Sequence, residues 1–240
     1  NPEEGVPGCI ANGIDEKTAN KIYDEMTDFA KYAFNKSHAA AYAVVSYQTA
    51  WLKYYYPVEY MAALMTSVID NPGKVAEYIY SCRQMGIKIL PPDINHGYSS
   101  FSVDNGSIRY GLAAIKSIGR PVIKEIVAER KANGEFKNLK DFIERMSGKD
   151  INKRTIENFI KSGAFDELGG TRKQFMVIYV QILDQVNREK KNSMTGQMSL
   201  FDIVGEEQKS EFDIPLPNVG VYEKSTKLAF EKEVLGIYLS

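Results

Sequence analysis

Leu112-Ala113-Ala114-Ile115-Lys116-Ser117-Ile118-Gly119-Arg120-Pro121-Val122-Ile123-Lys124-Glu125-Ile126-Val127-Ala128-Glu129-Arg130 sets two apolar segments on either side of a short polar break. Leu112, Ile115 and Ile118 lead into Gly119-Arg120-Pro121. Val122, Ile123, Ile126 and Val127 then continue at helical spacing to about Arg130. Two helical segments joined by a glycine-containing hairpin let main-chain N–H groups approach a phosphate with no side chain in the way. Lys116, Arg120 and Lys124 supply positive charge around that break. A plain αα-hairpin with no ligand produces the same pattern.

A second pair follows at once. Ile151-Asn152-Lys153-Arg154 opens one helix, Lys161-Ser162-Gly163 turns the chain, and Thr171-Arg172-Lys173 opens another. The net charge of −1 conceals an asymmetry. Residues 107–191 carry 18 Lys and Arg against 11 Asp and Glu, whereas residues 1–106 carry 8 against 12 and residues 192–240 carry 4 against 8. A basic middle is the electrostatic footprint of a phosphate-backbone binder, and a solvated surface gives the same count.

Before the basic segment, the spacing predicts four helices ahead of residue 87. Asp15 precedes a helix whose Ile22, Met26, Phe29 and Ala33 share a face. A second helix, from about Ser37 to Tyr56, aligns Ala40, Val44, Tyr47, Trp51 and Tyr54 in an apolar stripe suited to core packing. Pro57 stops it and opens a third, with Met61, Leu64, Met65 and Val68. Asn71-Pro72 reads as an N-cap and first-turn proline for a fourth, burying Val75, Tyr78, Ile79 and Cys82 before Gly86. Pro91-Pro92 then reads as a boundary. Phe101-Ser102-Val103 and Ile108-Arg109-Tyr110 flank Asp104-Asn105-Gly106-Ser107, a hairpin signal. Asp93 reads as a turn residue, and His96 carries no functional signal.

Phe34-Asn35-Lys36-Ser37-His38-Ala39-Ala40-Ala41-Tyr42-Ala43 sets a cation, a hydroxyl and an imidazole at the start of the second helix. The first turn of a helix leaves N–H groups unpaired and carries partial positive charge, so an anion is favoured there. The same residues also fit a simple cap, with Asn35 or Ser37 as N-cap, Lys36 solvated and His38 packed. Together with Ser46-Tyr47-Gln48-Thr49-Ala50-Trp51-Leu52-Lys53 and Tyr56-Pro57-Val58-Glu59-Tyr60-Met61, this stretch resembles the fingers region of the bacterial replicative DNA polymerase III alpha family, of the DnaE rather than the PolC type.

The resemblance extends along the chain. Residues 112–130 and 151–173 resemble that family's tandem helix-hairpin-helix unit, with Ser117 standing where the motif usually has its first glycine. Gln197-Met198-Ser199-Leu200-Phe201 resembles the peptide by which bacterial polymerases attach to the sliding clamp. Two large apolar side chains filling pockets on a partner, with the Gln197 amide fixing register, suit such a role. Leu228 to Ser240 resembles the stretch leading into the family's oligonucleotide-binding domain, which the resemblance would place outside these 240 residues.

What the resemblance implies is a mainly α fold. Residues 1–90 would be the later part of the helical fingers, 91–110 a junction with a small β-hairpin, and 111–190 the tandem helix-hairpin-helix domain. Residues 191–205 would be the clamp-binding loop, and 206–240 a linker. Asn35, Lys36, Ser37 and His38 would face the triphosphate of an incoming deoxynucleotide. Lys116, Ser117, Gly119, Arg120, Lys124, Arg172 and Lys173 would contact the backbone of primer-template DNA. Gln197, Met198, Ser199, Leu200 and Phe201 would bind the clamp, and other replicase subunits would be met through missing regions. The parent would be a DNA-directed DNA polymerase using Mg2+ held by palm carboxylates. No such paired carboxylates occur in this stretch, so the piece alone would be inactive and without a cofactor of its own. A stand-alone, non-catalytic DNA-binding adaptor carrying a clamp peptide is the alternative.

Composition narrows the class further. The 240 residues are 44% hydrophobic, enough for one large core or two modest ones. No run approaches ~20 apolar residues, so no membrane span is expected. The first residues lack a secretory pattern and an initiator Met, which suggests a fragment. Cys9 and Cys82 have neither metal-ligand spacing nor the density of a disulfide scaffold, so a reducing cytoplasm is expected.

Overall fold

The structure is a computed structural model and describes residues 5, 7–32, 35–194 and 214–239. The chain divides into two compact units, Asn1–Tyr55 and Tyr56–Ser240. This division falls inside the segment that the family resemblance assigns to the fingers.

The first unit contains α1 (Glu16–Tyr32) and α2 (Lys36–Tyr55). The Asp15 side chain caps α1 by accepting from the Thr18 N–H at 2.9 Å. The apolar faces read from the sequence are present but uncovered. Ile22, Met26 and Phe29 are exposed, and α2 buries no residue at all. The expectation that Val44, Tyr47, Trp51 and Tyr54 pack into a core is therefore corrected: all four are exposed. The physical reason is that helices bury their stripes only against a further layer, and the described part of this unit supplies two helices and no more.

The second unit begins with α3 (Pro57–Ser67) and α4 (Pro72–Gln84), each opened by proline. Asn71 Oδ1 accepts from the Lys74 N–H at 3.1 Å, as a cap should. β1 (Ile89–Leu90), β2 (Ser102–Asp104) and β3 (Ser107–Arg109) form a three-stranded sheet in the order β1-β3-β2. β2 and β3 pair antiparallel, with Val103 opposite Ile108, across a turn in which Asn105 and Gly106 both have positive φ. β1 pairs parallel with β3. α3 packs on α4 and on β2 and β3.

A short 3-10 turn, Leu112–Ala114, precedes α5 (Arg120–Asn133). The segment before the hairpin is thus shorter than a helix. α6 (Leu139–Met146) packs on α5 and on α8 (Arg172–Met194), and α7 (Lys153–Ser162) packs on α8 and on α9 (Lys224–Leu235). The core here is aromatic. Phe142 meets Phe136, Phe159 and Phe165 edge-on, with ring centroids 5.0, 6.1 and 4.9 Å apart. Such pairs add about 0.5–1.5 kcal/mol each beyond area burial.

Two sequence expectations need correction. Pro91-Pro92 is not a boundary: Pro92, Asp93 and Ile94 are buried. The Ile94 N–H donates to the Ala164 carbonyl at 2.9 Å, and its own carbonyl accepts from Arg130 Nη1 at 2.8 Å. Proline lacks an N–H, so Pro92 can be buried with no donor of its own to satisfy. Nor is the whole of 206–240 a linker. α9 buries Glu231, Val234 and Leu235 against the second unit. Asp93 does act in a turn, its Oδ1 accepting from the N–H groups of Asn95 and His96 at 2.8 and 2.6 Å.

Candidate nucleic-acid interface

The hairpin between the 3-10 turn and α5 is held from below and open above. Ile118 is buried, whereas Lys116, Ser117, Gly119 and Arg120 are exposed. Ser117 has φ +63, the left-handed conformation that a glycine adopts without penalty. The serine thus performs the backbone task of the glycine it replaces. Two supports fix the main chain of Lys116. Its N–H donates to the Val234 carbonyl at the end of α9 at 2.9 Å, and its carbonyl accepts from Asn158 Nδ2 of α7 at 2.8 Å. Tyr110 adds a second tie to α9, its hydroxyl donating to the Leu235 carbonyl at 3.2 Å.

Gly119 is the N-cap of α5, and no side chain caps the helix there. Pro121 has no N–H to offer, so the first turn presents a small number of backbone donors, flanked by Lys116, Arg120 and Lys124. Arg120 Nη2 lies 2.9 Å from Asp70 Oδ2. Both side chains are largely exposed, and an ion pair of this kind is worth about 0–1 kcal/mol. A pair this weak would compete little with an anion for Arg120.

The second hairpin differs. Gly163 ends α7 in the left-handed conformation, and the guanidinium of Arg172 packs directly against it, where any Cβ would collide. Arg172 is 5% exposed. Its Nε and Nη2 donate to Asp166 Oδ1 and Oδ2 at 3.0 and 2.8 Å, and its Nη1 donates to Glu231 Oε1 and the Lys161 carbonyl at 3.2 Å each. Burial works against this charge, but Asp166 and Glu231 outweigh it and hold the guanidinium's pKa above its ordinary value. Arg172 is thus an internal strut tying α8 to α9 and to the α7 turn, with its donors used inside the protein. Lys173 is half-buried, its Nζ 6.0 Å from the centre of the Tyr222 ring. Of the seven residues expected to meet DNA, five gather at the first hairpin and the opening of α5, while Arg172 and Lys173 have inward partners.

At the start of α2, Asn35 is the cap: its Oδ1 accepts from the Ser37 N–H at 2.9 Å. Lys36, Ser37 and His38 are exposed, and the His38 ring lies 4.5 Å from that of Tyr42 one turn on. The clamp-type peptide, Gln197, Met198, Ser199, Leu200 and Phe201, lies outside the described residues. Among the described residues no cluster of three or more His, Cys, Asp or Glu is placed to hold a metal ion, and no helix is long and apolar enough to cross a membrane.

The supports of the first hairpin were not read from the sequence. Asn158 carried a signal, being a polar residue close to Ile156, Phe159 and Ile160 that must find a partner once buried. Val234 acts through its carbonyl, which no side-chain pattern reveals.

Comparison with known proteins agrees with this geometry. Residues 86–175 match the family described as helix-hairpin-helix motif. The chain is 42% identical over 234 residues to the DNA polymerase III subunit alpha of Vibrio cholerae, 43% identical to that of Haemophilus influenzae, and 42% identical to that of Escherichia coli K12. Each match covers 97% of this chain, and the chain spans about 20% of the length of these curated relatives.

Proposed function

We propose, from the premise that this chain belongs to the DNA polymerase III alpha-subunit family, that its second unit grips the backbone of duplex DNA during replication. The observation that carries this reading is the exposed Lys116–Arg120 hairpin, with Ser117 at positive φ and an uncapped α5 behind it. Backbone donors and three cations converge on one spot, which suits a phosphate and carries no base information. In the same reading, Asn35, Lys36, Ser37 and His38 contribute contacts to the triphosphate of the incoming nucleotide, and Gln197 to Phe201 tether the polymerase to its sliding clamp. The chain supplies binding, while bond formation and the Mg2+ it uses belong to palm carboxylates elsewhere in such a polymerase, acting in the bacterial cytoplasm with the other replicase subunits.

The test is fluorescence anisotropy of the 240-residue chain with labelled blunt duplex DNA across a salt series. We expect sequence-independent binding whose log affinity falls with log salt by about 0.9 per phosphate neutralised. The triple variant Lys116→Glu, Arg120→Glu, Lys124→Glu should abolish it. Affinity unchanged in that variant would refute the reading, as would a duplex affinity indifferent to salt.

A further inference from the structure

Beside the proposed phosphate grip, α5 borders a groove of ≈ 580 Å³ that shares Arg120 and Lys124 with the backbone reading and adds Tyr98, Ile123, Val127 and Lys131, which that reading does not use. Arg120, Lys124, Val127 and Lys131 follow each other at four, three and four residue steps and so share one face of the helix. All four line the groove, with Ile123 beneath and Tyr98 opposite, and none of the lining residues is acidic. The three cations thus run along about 16 Å of helix. Tyr98 keeps 43% of its surface exposed. Its ring is backed by the Arg130 guanidinium, 4.9 Å from the ring centre, and Arg130 is anchored by its bond to the Ile94 carbonyl. A braced aromatic ring, an apolar lining and a row of cations form the combination on which single-stranded nucleic acid is held. A groove of this volume falls within the range of about 300–1,000 Å³ typical of pockets for small ligands.

We propose that this groove takes an unpaired nucleotide of a DNA strand, its base stacked on Tyr98 and its neighbouring phosphates along Arg120, Lys124 and Lys131. The inference rests on the reading that the adjoining hairpin holds a DNA backbone, and it adds the recognition of unpaired bases next to the duplex. Asp70, paired with Arg120, is the carboxylate that the strand displaces.

The experiment compares three labelled DNAs with the 240-residue chain by anisotropy at one salt concentration: a blunt duplex, the same duplex with a short single-stranded overhang, and that overhang made abasic. The overhang should tighten binding about tenfold, a gain that stacking of one base supplies. The abasic overhang should lose most of it. Tyr98→Ala should remove the gain and leave blunt-duplex affinity unchanged, while Tyr98→Phe should keep it, with unaltered far-UV circular dichroism in both. A gain that survives in Tyr98→Ala or with the abasic overhang overturns the proposal, and so does equal affinity for all three DNAs. If blunt duplex fails to bind but the Tyr98-dependent gain remains, the backbone reading falls and the groove stands.

Discussion

Replacing Glu231 by alanine should destabilise the second unit by roughly 3 kcal/mol. Glu231 is 1% exposed and uses both oxygens, one accepting from Arg172 Nη1 at 3.2 Å and the other from the Leu239 N–H at 2.8 Å. A hydrogen bond to a charged group contributes about 1.5–3 kcal/mol, and breaking one side of a buried pair costs about 3–5 kcal/mol. The lower end applies because Arg172 keeps Asp166, whose carboxylate is part-exposed. Urea unfolding followed by far-UV circular dichroism is the assay, since the single tryptophan, Trp51, lies in the first unit and would report on the wrong transition. With an m-value of about 2–3 kcal/mol per molar, the midpoint should fall by about 1–1.5 M. The double variant Glu231→Leu, Arg172→Met removes both charges and should recover at least half of the loss. A midpoint shift below about 0.3 M in Glu231→Ala, or a double variant worse than both singles combined, would refute the view that this buried pair holds α9 in place.

Ser117→Gly should raise stability by about 0.5–1 kcal/mol, because the left-handed backbone costs a residue with a Cβ about 1–2 kcal/mol and glycine offsets part of that with chain entropy; Ser117→Val should lower it, and thermal unfolding distinguishes the two. Asn158→Ala leaves the Lys116 carbonyl without its buried donor and should cost about 1–3 kcal/mol by urea titration, together with weaker duplex binding. Hydrogen bonds from Lys149 first, then Asn133, with Arg145 contributing, hold the Glu129 carboxyl down at about 2, below its ordinary 4.5. Its folded pKa is depressed, so its contribution to stability is complete above about pH 4.5 and is lost as pH falls towards 2; Glu129→Gln should flatten the acid limb of the unfolding curve over that window.

Local chemistry was legible where it acts within a few residues. The Asn71 and Asn152 caps, the Asn105-Gly106 turn, the Gly163 stop and the opening of α8 each follow from the residues at the spot. The exposed cluster of Lys116, Ser117, Gly119, Arg120 and Lys124 followed too, since one short hairpin holds it. What escaped depends on distant partners. β1 is two residues long and exists only through β3. α9 has a weak apolar pattern and is fixed by Arg172 and by the hairpin. Arg172 looks in sequence like any cation opening a helix, and only folding brings Glu231 to it. α6 is a different case, because Leu139, Phe142, Ile143 and Met146 do repeat at helical spacing, but over only eight residues interrupted by Lys140, Asp141, Glu144 and Arg145.

The ties between the first hairpin and α9 also set an order of events during synthesis. Tyr110 and Leu235 are separated by 125 residues, and Lys116 depends on the neighbouring Val234. A ribosome releases the hairpin residues long before those of α9, and contacts between distant parts of a chain form late. The hairpin therefore reaches its finished geometry only after residues 224–235 have emerged, so a nascent chain arrested ahead of them carries every cation of the interface and lacks the brace that aims it.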